Sequence, residues 1–332
     1  MAEPAAARQL RYIQAVNLAL HWALETYPEA LAFGEDVALP GGPFGATKGL
    51  YEKFGNRIFD TPISEAAIVG AALGAAMRGR RPIIEIMYSD FSLVAMDQIV
   101  NQVANARYVS RGKWTAPLTI RTQEGYSPGS CAQHSQSLEA WYAHAPGLRV
   151  GLPSNARDAY EMLRSAIASD DPVMIFENRL LYPTSEEFEL DGPVEPVGGT
   201  RIVRPGSDVT VVTWSRMVVE ALKAADALAL DGRSVEVIDL RWLSPLDFSP
   251  VADSVHRTGR LVIAHEANLT GGFGAEIAAR AAHECFWDLD APIQRVAAPD
   301  VRIPAAPALQ EAVIPTASWI VEAIGHALEP HQ

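Results

Sequence analysis

Cysteine is scarce in this chain: Cys131 and Cys285 are the only two among 332 residues. They lie far apart, in neither a CxxC pair nor a regular framework, which excludes a disulfide-stapled scaffold and reads as reduced thiols in a cytoplasmic protein. Long apolar runs are missing too. The longest, Ala66 to Met77, falls short of the roughly 18 residues a membrane span needs, and the N-terminal MAEPAAARQLRYIQ has no apolar signal core. Positive charge is in deficit, with 27 Lys and Arg against 40 Asp and Glu and a net charge of -13, so neither nucleic acid nor an anionic membrane is an expected partner. There is no GxxxxGK[ST] loop, and the eight histidines show no HExxH or i, i+4 pairing, which argues against a transition-metal site.

What is present is a globular balance, 48% hydrophobic and 20% charged, in a length that suggests two domains. Short β-branched runs alternate with helical segments, a pattern that predicts an α/β protein of two three-layer domains with helices on mainly parallel sheets. Strands are expected at Ala30 to Asp36, Arg81 to Met87, Ala116 to Thr122, Leu148 to Pro153 and Pro172 to Glu177. A helix follows Ser154, a plausible N-cap, with Ala159, Met162, Leu163 and Ile167 at helical spacing. The stretch from Pro183 to Thr200 is rich in Pro, Gly and Glu and has no sustained period, so it reads as a linker between a domain at 1–182 and another at 201–332. The second series runs through strands DVTVVTW, SVEVIDL, RLVIAHE and PIQRVAAP, with helices expected near Met217 to Leu230, Val251 to His256 and Gly274 to Cys285.

Two glycine motifs invite functional readings and fail on chemistry. GYSPG, Gly125 to Gly129, has the spacing of a nucleophile elbow, but the residue that must donate its N–H to an oxyanion is Pro128, which has none. GGFG, Gly271 to Gly274, lies where a dinucleotide fingerprint would lie, but Ile277 stands at the third glycine position, so a tight turn opening a helix is the simpler reading.

Glu65 is the only acid between Asp60 and Glu85 and heads an apolar, small-residue helix. It is either a carboxylate favoured by the helix dipole, worth roughly 0.3 to 1 kcal/mol, or a desolvated acid able to share a proton with a ligand nitrogen. Gly70 and Gly74 with their neighbouring alanines make that helix slim, which suggests a close helix-on-helix interface, within the chain or between subunits. His134 sits in a polar stretch between two strands, where a structural and a site-lining role are both open. Met87 and Phe91 follow the Arg81 to Met87 strand and either line an apolar pocket at its carboxyl end or belong to the core.

Taken in order, the blocks FGEDV, KGLYEKFG, RIFDTPISEA, RPIIEIMYSDFSLVAMDQIVNQ, AQHSQSLEAWYAHAPGLRV, DDPVMIFENRLLY, VVTWS, DLRWLSPLD, HEANLTGGFGAEIAA and AAPDVRIP resemble the beta subunit of the thiamine-diphosphate-dependent 2-oxo acid dehydrogenases over nearly the whole chain. The resemblance implies a transketolase-like pyrimidine-binding domain at 1–182 and a transketolase C-terminal-like domain at 201–332. It implies that Glu65 hydrogen-bonds the aminopyrimidine ring of the cofactor, that Ile63, Met87 and Phe91 line the pocket around that ring, and that His134 faces the thiazolium and substrate, stabilising intermediates or assisting acyl transfer.

The family's diphosphate and Mg²⁺ motif begins with GDG, and no GDG occurs here. The resemblance therefore implies an alpha subunit that supplies that half of the site, an assembly of two alpha and two beta subunits, and a chain inactive alone. The implied reaction is oxidative decarboxylation of a small 2-oxo acid, with acyl transfer to a lipoyl acyltransferase. Met87 with Tyr88 and AQHSQ point to the pyruvate type, and SQSLEA also fits the acetoin type. Branched-chain specificity, half of a split transketolase-like enzyme and a non-catalytic assembly subunit are the alternatives. QEGYSPGSCA departs from the Gly-rich stretch that precedes the histidine in many relatives. Some relatives bind a monovalent cation through main-chain carbonyls near APLTI and SAIASDD, which leaves no side-chain signature.

Overall fold

The computed structural model describes residues 7–190 and 192–329. Residues 1–6 and 330–332, at the outer ends of the two expected domains, and Asp191, within the expected linker, lie outside the described residues. The chain folds as two compact units, one running to Glu124 and resuming at Trp141–Val197, the other made of Gly125–Ala140 and the chain from Gly198 onward. The 1–182 stretch is thus interrupted: the segment that carries His134 belongs to the second unit.

In the first unit the strands are β1 (Arg8–Arg11), β2 (Ala30–Gly34), β3 (Ile58–Asp60), β4 (Arg81–Ile86), β5 (Thr119–Glu124), β6 (Arg149–Gly151), β7 (Val173–Asn178) and β8 (Ser185–Phe188). Six of them form a parallel array in the order β6-β7-β5-β4-β2-β3. Such a sheet is covered on both faces, which is why β5 and β7 are buried at every position. Helices Tyr12–Thr26 and Ala156–Ala168 pack on each other. The latter is capped by Asn155, whose side chain accepts from Asp158 N, rather than by the expected Ser154, which is buried. Part of the expected linker is structured: β8 pairs antiparallel with β1, Phe188 opposite Arg8, and buries the Phe188 ring.

Burial on both faces leaves the polar residues of β5 facing the core. Register sets Arg121 beside Glu85 and in line with the Glu177 strand. Arg121 Nε and Nη2 donate to the two oxygens of Glu177 at 2.7 and 2.8 Å, and Nη1 donates to Glu85 Oε2 at 2.7 Å. Tyr182 OH donates to Glu177 at 2.7 Å and Gln123 Nε2 to Glu85 at 3.3 Å. Burial pushes the Glu85 carboxyl up, with the Arg121 guanidinium opposing.

Helix Glu65–Met77 buries Ile68, Val69, Ala72 and Ala76 but leaves Ala67, Gly70, Ala71 and Gly74 exposed. Both faces are apolar, as a slim interface helix would require.

The second unit contains β9 (Arg201–Arg204), β10 (Val209–Thr213), β11 (Val235–Asp239), β12 (Trp242–Ser244), β13 (Leu261–Asn268) and β14 (Gln294–Ala298). Its sheet runs β14-β13-β10-β11-β9, parallel except for β9. Val209, Val211, Val235, Val237 and Val262 meet Met217, Ala221 and Ala225 of helix Met217–Ala229 and Ile320 and Ile324 of helix Ala317–Leu328 in one core. Helices Ser249–Thr258 and Gly274–Glu284 also pack on this sheet, so the unit is a second α/β layer structure.

Candidate active site

In the first unit the candidate residues gather at the carboxyl ends of β2, β3 and β4, where open parallel sheets place their ligands. After β3 the chain is pinned by Thr61 N, which donates to Gly34 O at 2.8 Å, and by Asp60 Oδ1, which accepts from Ala38 N at 2.7 Å. It then opens helix Glu65–Met77, with Ser64 O accepting from Ile68 N. Glu65 is the first helical residue and only 7% exposed, a carboxyl among N–H groups that favour it. Ile63, just before it, is 81% exposed, an apolar side chain left open to a ligand or partner.

Glu35, directly after β2, completes an acidic cluster that sequence reasoning did not single out. Burial raises its carboxyl above the ordinary range, and the charges of Glu65, Asp36 and Glu85 raise it further. Its only sequence signal is its place at a strand end in FGEDV.

Met87 and Phe91 are both partly buried in the segment leaving β4, with helix Glu65–Met77 packed on β4 and on residues 93–95. Between them Tyr88 adopts φ +66°, ψ 133°, a strained conformation for a side chain of its size. Its N–H donates to Gln123 Oε1 at 3.3 Å, and its ring meets Phe44 and Phe91 edge-on under the Arg179 guanidinium.

His134 is not gathered with these residues in the first unit; it is partly buried in the Gly125–Ala140 segment of the second. Gly125, Gly129 and Cys131 take positive φ there, and Ser130 Oγ accepts from Ser127 N at 2.9 Å and bonds Ser135 Oγ at 2.5 Å. The GYSPG motif forms this turn and opens no helix. Tyr126 N donates to Glu266 Oε1 at 2.8 Å, Arg216 Nε to Glu266 Oε2 at 2.6 Å, and Trp214 Nε1 to Glu139 Oε1 at 3.2 Å. Burial pushes the Glu139 carboxyl up to about 7, with Glu266 adding to the rise and the Trp214 bond opposing it.

The GGFG turn does open helix Gly274–Glu284, and its glycines answer to a ring rather than to a phosphate. A Cβ on Gly272 would stand 2.5 Å from His265 Cε1, and one on Gly274 would stand 2.6 Å from His265 Cδ2. His265 is fully buried and stacked on Trp214 at 5.3 Å. Burial, aided by the Arg295 guanidinium, lowers it to about 4, so it is neutral at pH 7.

Because the folded pKa of His265 lies below the unfolded value, the unfolded chain binds more protons between the two. The stability this neutral ring contributes is whole above pH 6.5 and is lost as pH falls toward 4, a difference of about 3 kcal/mol. Glu139 acts with the opposite sign, stabilising below pH 4.5 and losing that contribution as pH rises through 7. Urea unfolding at pH 5 and 7.5 should show a smaller loss on acidification in His265→Gln than in the wild type. Equal losses would remove His265 as the source.

Among the described residues no group of three or more His, Cys, Asp or Glu could hold a metal ion, and no helix is long and apolar enough to cross a membrane.

Residues 8–185 match the transketolase pyrimidine binding domain and residues 198–320 the transketolase C-terminal domain. The fold and a carboxyl-headed helix at the sheet's carboxyl edge thus define a protein of the transketolase type. A solved split-gene transketolase, described as an inactive beta4 tetramer, superimposes with a TM-score of 0.79 at 25% identity, covering 98% of each chain. The chain is 44% identical to the pyruvate dehydrogenase E1 component subunit beta of Leifsonia xyli over 331 residues, 99% of this chain and 98% of that protein. It is 42% identical to the acetoin:2,6-dichlorophenolindophenol oxidoreductase subunit beta of Cupriavidus necator (96% and 97% covered) and 40% identical to the 2-oxoisovalerate dehydrogenase subunit beta of Bacillus subtilis (91% and 93%). The chain belongs to this family of transketolase-type dehydrogenase beta subunits.

Proposed function

We propose that the chain is the beta subunit of a 2-oxo acid dehydrogenase of the pyruvate type, acting with an alpha subunit in thiamine-diphosphate-dependent oxidative decarboxylation. The observation that carries this is the buried Glu65 carboxyl heading an apolar helix, in a chain alike over nearly its full length to dehydrogenase beta subunits. The acetoin and branched-chain types are the alternatives, each with a full-length relative.

The residues present suit the aminopyrimidine half of thiamine diphosphate. A buried carboxyl follows, two residues along the chain, an apolar side chain, Ile63, that is left open, and two more apolar side chains follow the next strand. In this reading Glu65 holds a proton at the ring nitrogen, while Ile63, Met87 and Phe91 exclude water from that bond and so strengthen it. Bound thiamine diphosphate supplies the nucleophilic thiazolium carbon and the electron sink for loss of CO₂. A ring nitrogen of His134 holds a proton for acyl transfer to a lipoyl group, after CO₂ has left.

The diphosphate and Mg²⁺ are assigned to the alpha subunit, because this chain has no GDG motif. We assign an assembly of two alpha and two beta subunits, with a lipoyl acyltransferase as acceptor. A bound monovalent cation would draw on main-chain carbonyls near 116–120 and 165–171. Two carbonyls there, of Ile167 and Ser169, already accept from Arg81 Nη1 at 2.7 and 2.8 Å, so a guanidinium supplies positive charge to that turn. The free thiols of Cys131 and Cys285 agree with the reducing cytoplasm. Residues 1–182, without Gly125–Ala140, would serve the pyrimidine, 201–332 would form the C-terminal domain, and 183–200 would join them.

The deciding experiment is co-expression with the alpha partner, followed by a screen of pyruvate, branched 2-oxo acids and acetoin for turnover. Pyruvate should release the most CO₂, and the beta chain alone should release none and should bind thiamine diphosphate poorly by calorimetry. Ketol transfer between sugars, or turnover by the isolated chain, would replace this reading.

A further inference from the structure

The segment that carries His134 is held at both ends by buried polar groups that the reaction does not use. On one side of His134, the backbone N–H of Tyr126 donates to Glu266 Oε1 at 2.8 Å. The other oxygen of Glu266 takes Arg216 Nε at 2.6 Å, and Arg216 Nη2 donates in turn to Pro315 O at 3.2 Å while its guanidinium lies 5.2 Å from the Tyr126 ring centre. Both side chains are nearly buried, so these are charge-assisted bonds shielded from water.

On the other side of His134, Trp214 Nε1 donates to Glu139 Oε1 at 3.2 Å. The indole has little freedom to aim elsewhere: it is 2% exposed and lies flat on His265, with ring planes 10° apart. The imidazole is itself boxed in by Gly272 and Gly274. Trp214 directly follows β10, and Glu266 lies near the end of β13, so both ties lead back to one rigid sheet.

We propose that Glu266 and Trp214 are positioning residues for His134, fixing the two ends of its segment so that the ring meets the acyl group in one orientation. This rests on the assignment of His134 to acyl transfer. Misplacement of a reacting group by about 1 Å can cost on the order of 100-fold in rate, so loosening either tie should be read in the acyl-transfer step.

The test uses the enzyme assembled with its alpha subunit and two assays: CO₂ release with a soluble artificial electron acceptor, and acyl transfer to a lipoyl acceptor. Glu266→Gln and Trp214→Phe, the latter keeping an aromatic ring on His265, should each lower acyl transfer about tenfold or more and CO₂ release less than about threefold. In a His134→Ala background neither should change acyl transfer by more than about twofold, because residues acting through one another are not additive.

Losses that multiply in the His134→Ala background, or equal losses in both assays, would overturn the proposal. If Glu266→Gln fails to assemble, Trp214→Phe alone decides. Unchanged acyl transfer in the single variant His134→Ala would instead overturn the assignment of His134 itself, and is distinguishable because it needs neither Glu266 nor Trp214 to be altered.

Discussion

Glu65→Gln is expected to lower decarboxylation by the assembled enzyme by roughly 10²- to 10⁴-fold, the range over which a positioned proton-transfer group contributes. The amide matches the carboxyl in shape and can still hydrogen-bond, but it cannot take up or release a proton at a ligand nitrogen. The structural cost should be small. Glu65 begins helix Glu65–Met77, and losing a charge there forfeits about 0.3 to 1 kcal/mol of helix-dipole stabilisation, too little to unfold a domain of this size. Assembly with the alpha subunit, measured by size, should be unaffected while CO₂ release collapses. A second readout is Glu35, whose carboxyl is raised in part by the charge of Glu65 and should move toward the ordinary carboxylate range in the variant. Near-normal turnover would remove Glu65 from the reaction.

Arg121→Met should cost about 3 to 5 kcal/mol, the range found when one partner of a buried ion pair is removed. The methionine fills much of the space but leaves the Glu85 and Glu177 carboxyls, 5% and 1% exposed, without the guanidinium that now donates three hydrogen bonds to them. Against a domain stability of roughly 5 to 15 kcal/mol this would bring the first unit near unfolding. The loss should ease in acid, because Glu85 is already pushed up by burial with Arg121 as its main opposing influence, and protonation removes the stranded charge. Replacing Glu85, Arg121 and Glu177 together by apolar residues of similar volume should recover most of the stability. A urea midpoint that barely moves in the single variant would mean that water reaches the cluster.

The Arg81–Ile86 and Val209–Thr213 strands could be read from their β-branched runs, and the parallel arrangement from their alternation with helices, because those signals are local. The place of Glu65, buried at the head of its helix, could be read for the same reason, from a lone acid in an apolar, small-residue run, while its part in the reaction is the proposal made above. The assignment of Gly125–Ala140 to the second unit was not. It depends on Tyr126 meeting Glu266 and on Trp214 meeting Glu139, partners far apart in sequence that no spacing rule connects. Ser185–Phe188 was hidden by its composition, since the polar residues of a two-stranded edge look like a linker until β1 is placed beside them. Tyr88 was missed because backbone strain leaves no mark in residue type.

The pairing of His265 with Gly272 and Gly274 bears on how this part of the chain can evolve. The ring keeps its place only as long as both glycines stay bare. A small residue in place of His265 would relieve Gly274, whereas a Cβ on Gly272 would still face the backbone carbonyl of Asn268 at 2.5 Å, so the ring and Gly274 are the pair expected to change together. A dinucleotide-like signature can in this way be required by packing alone.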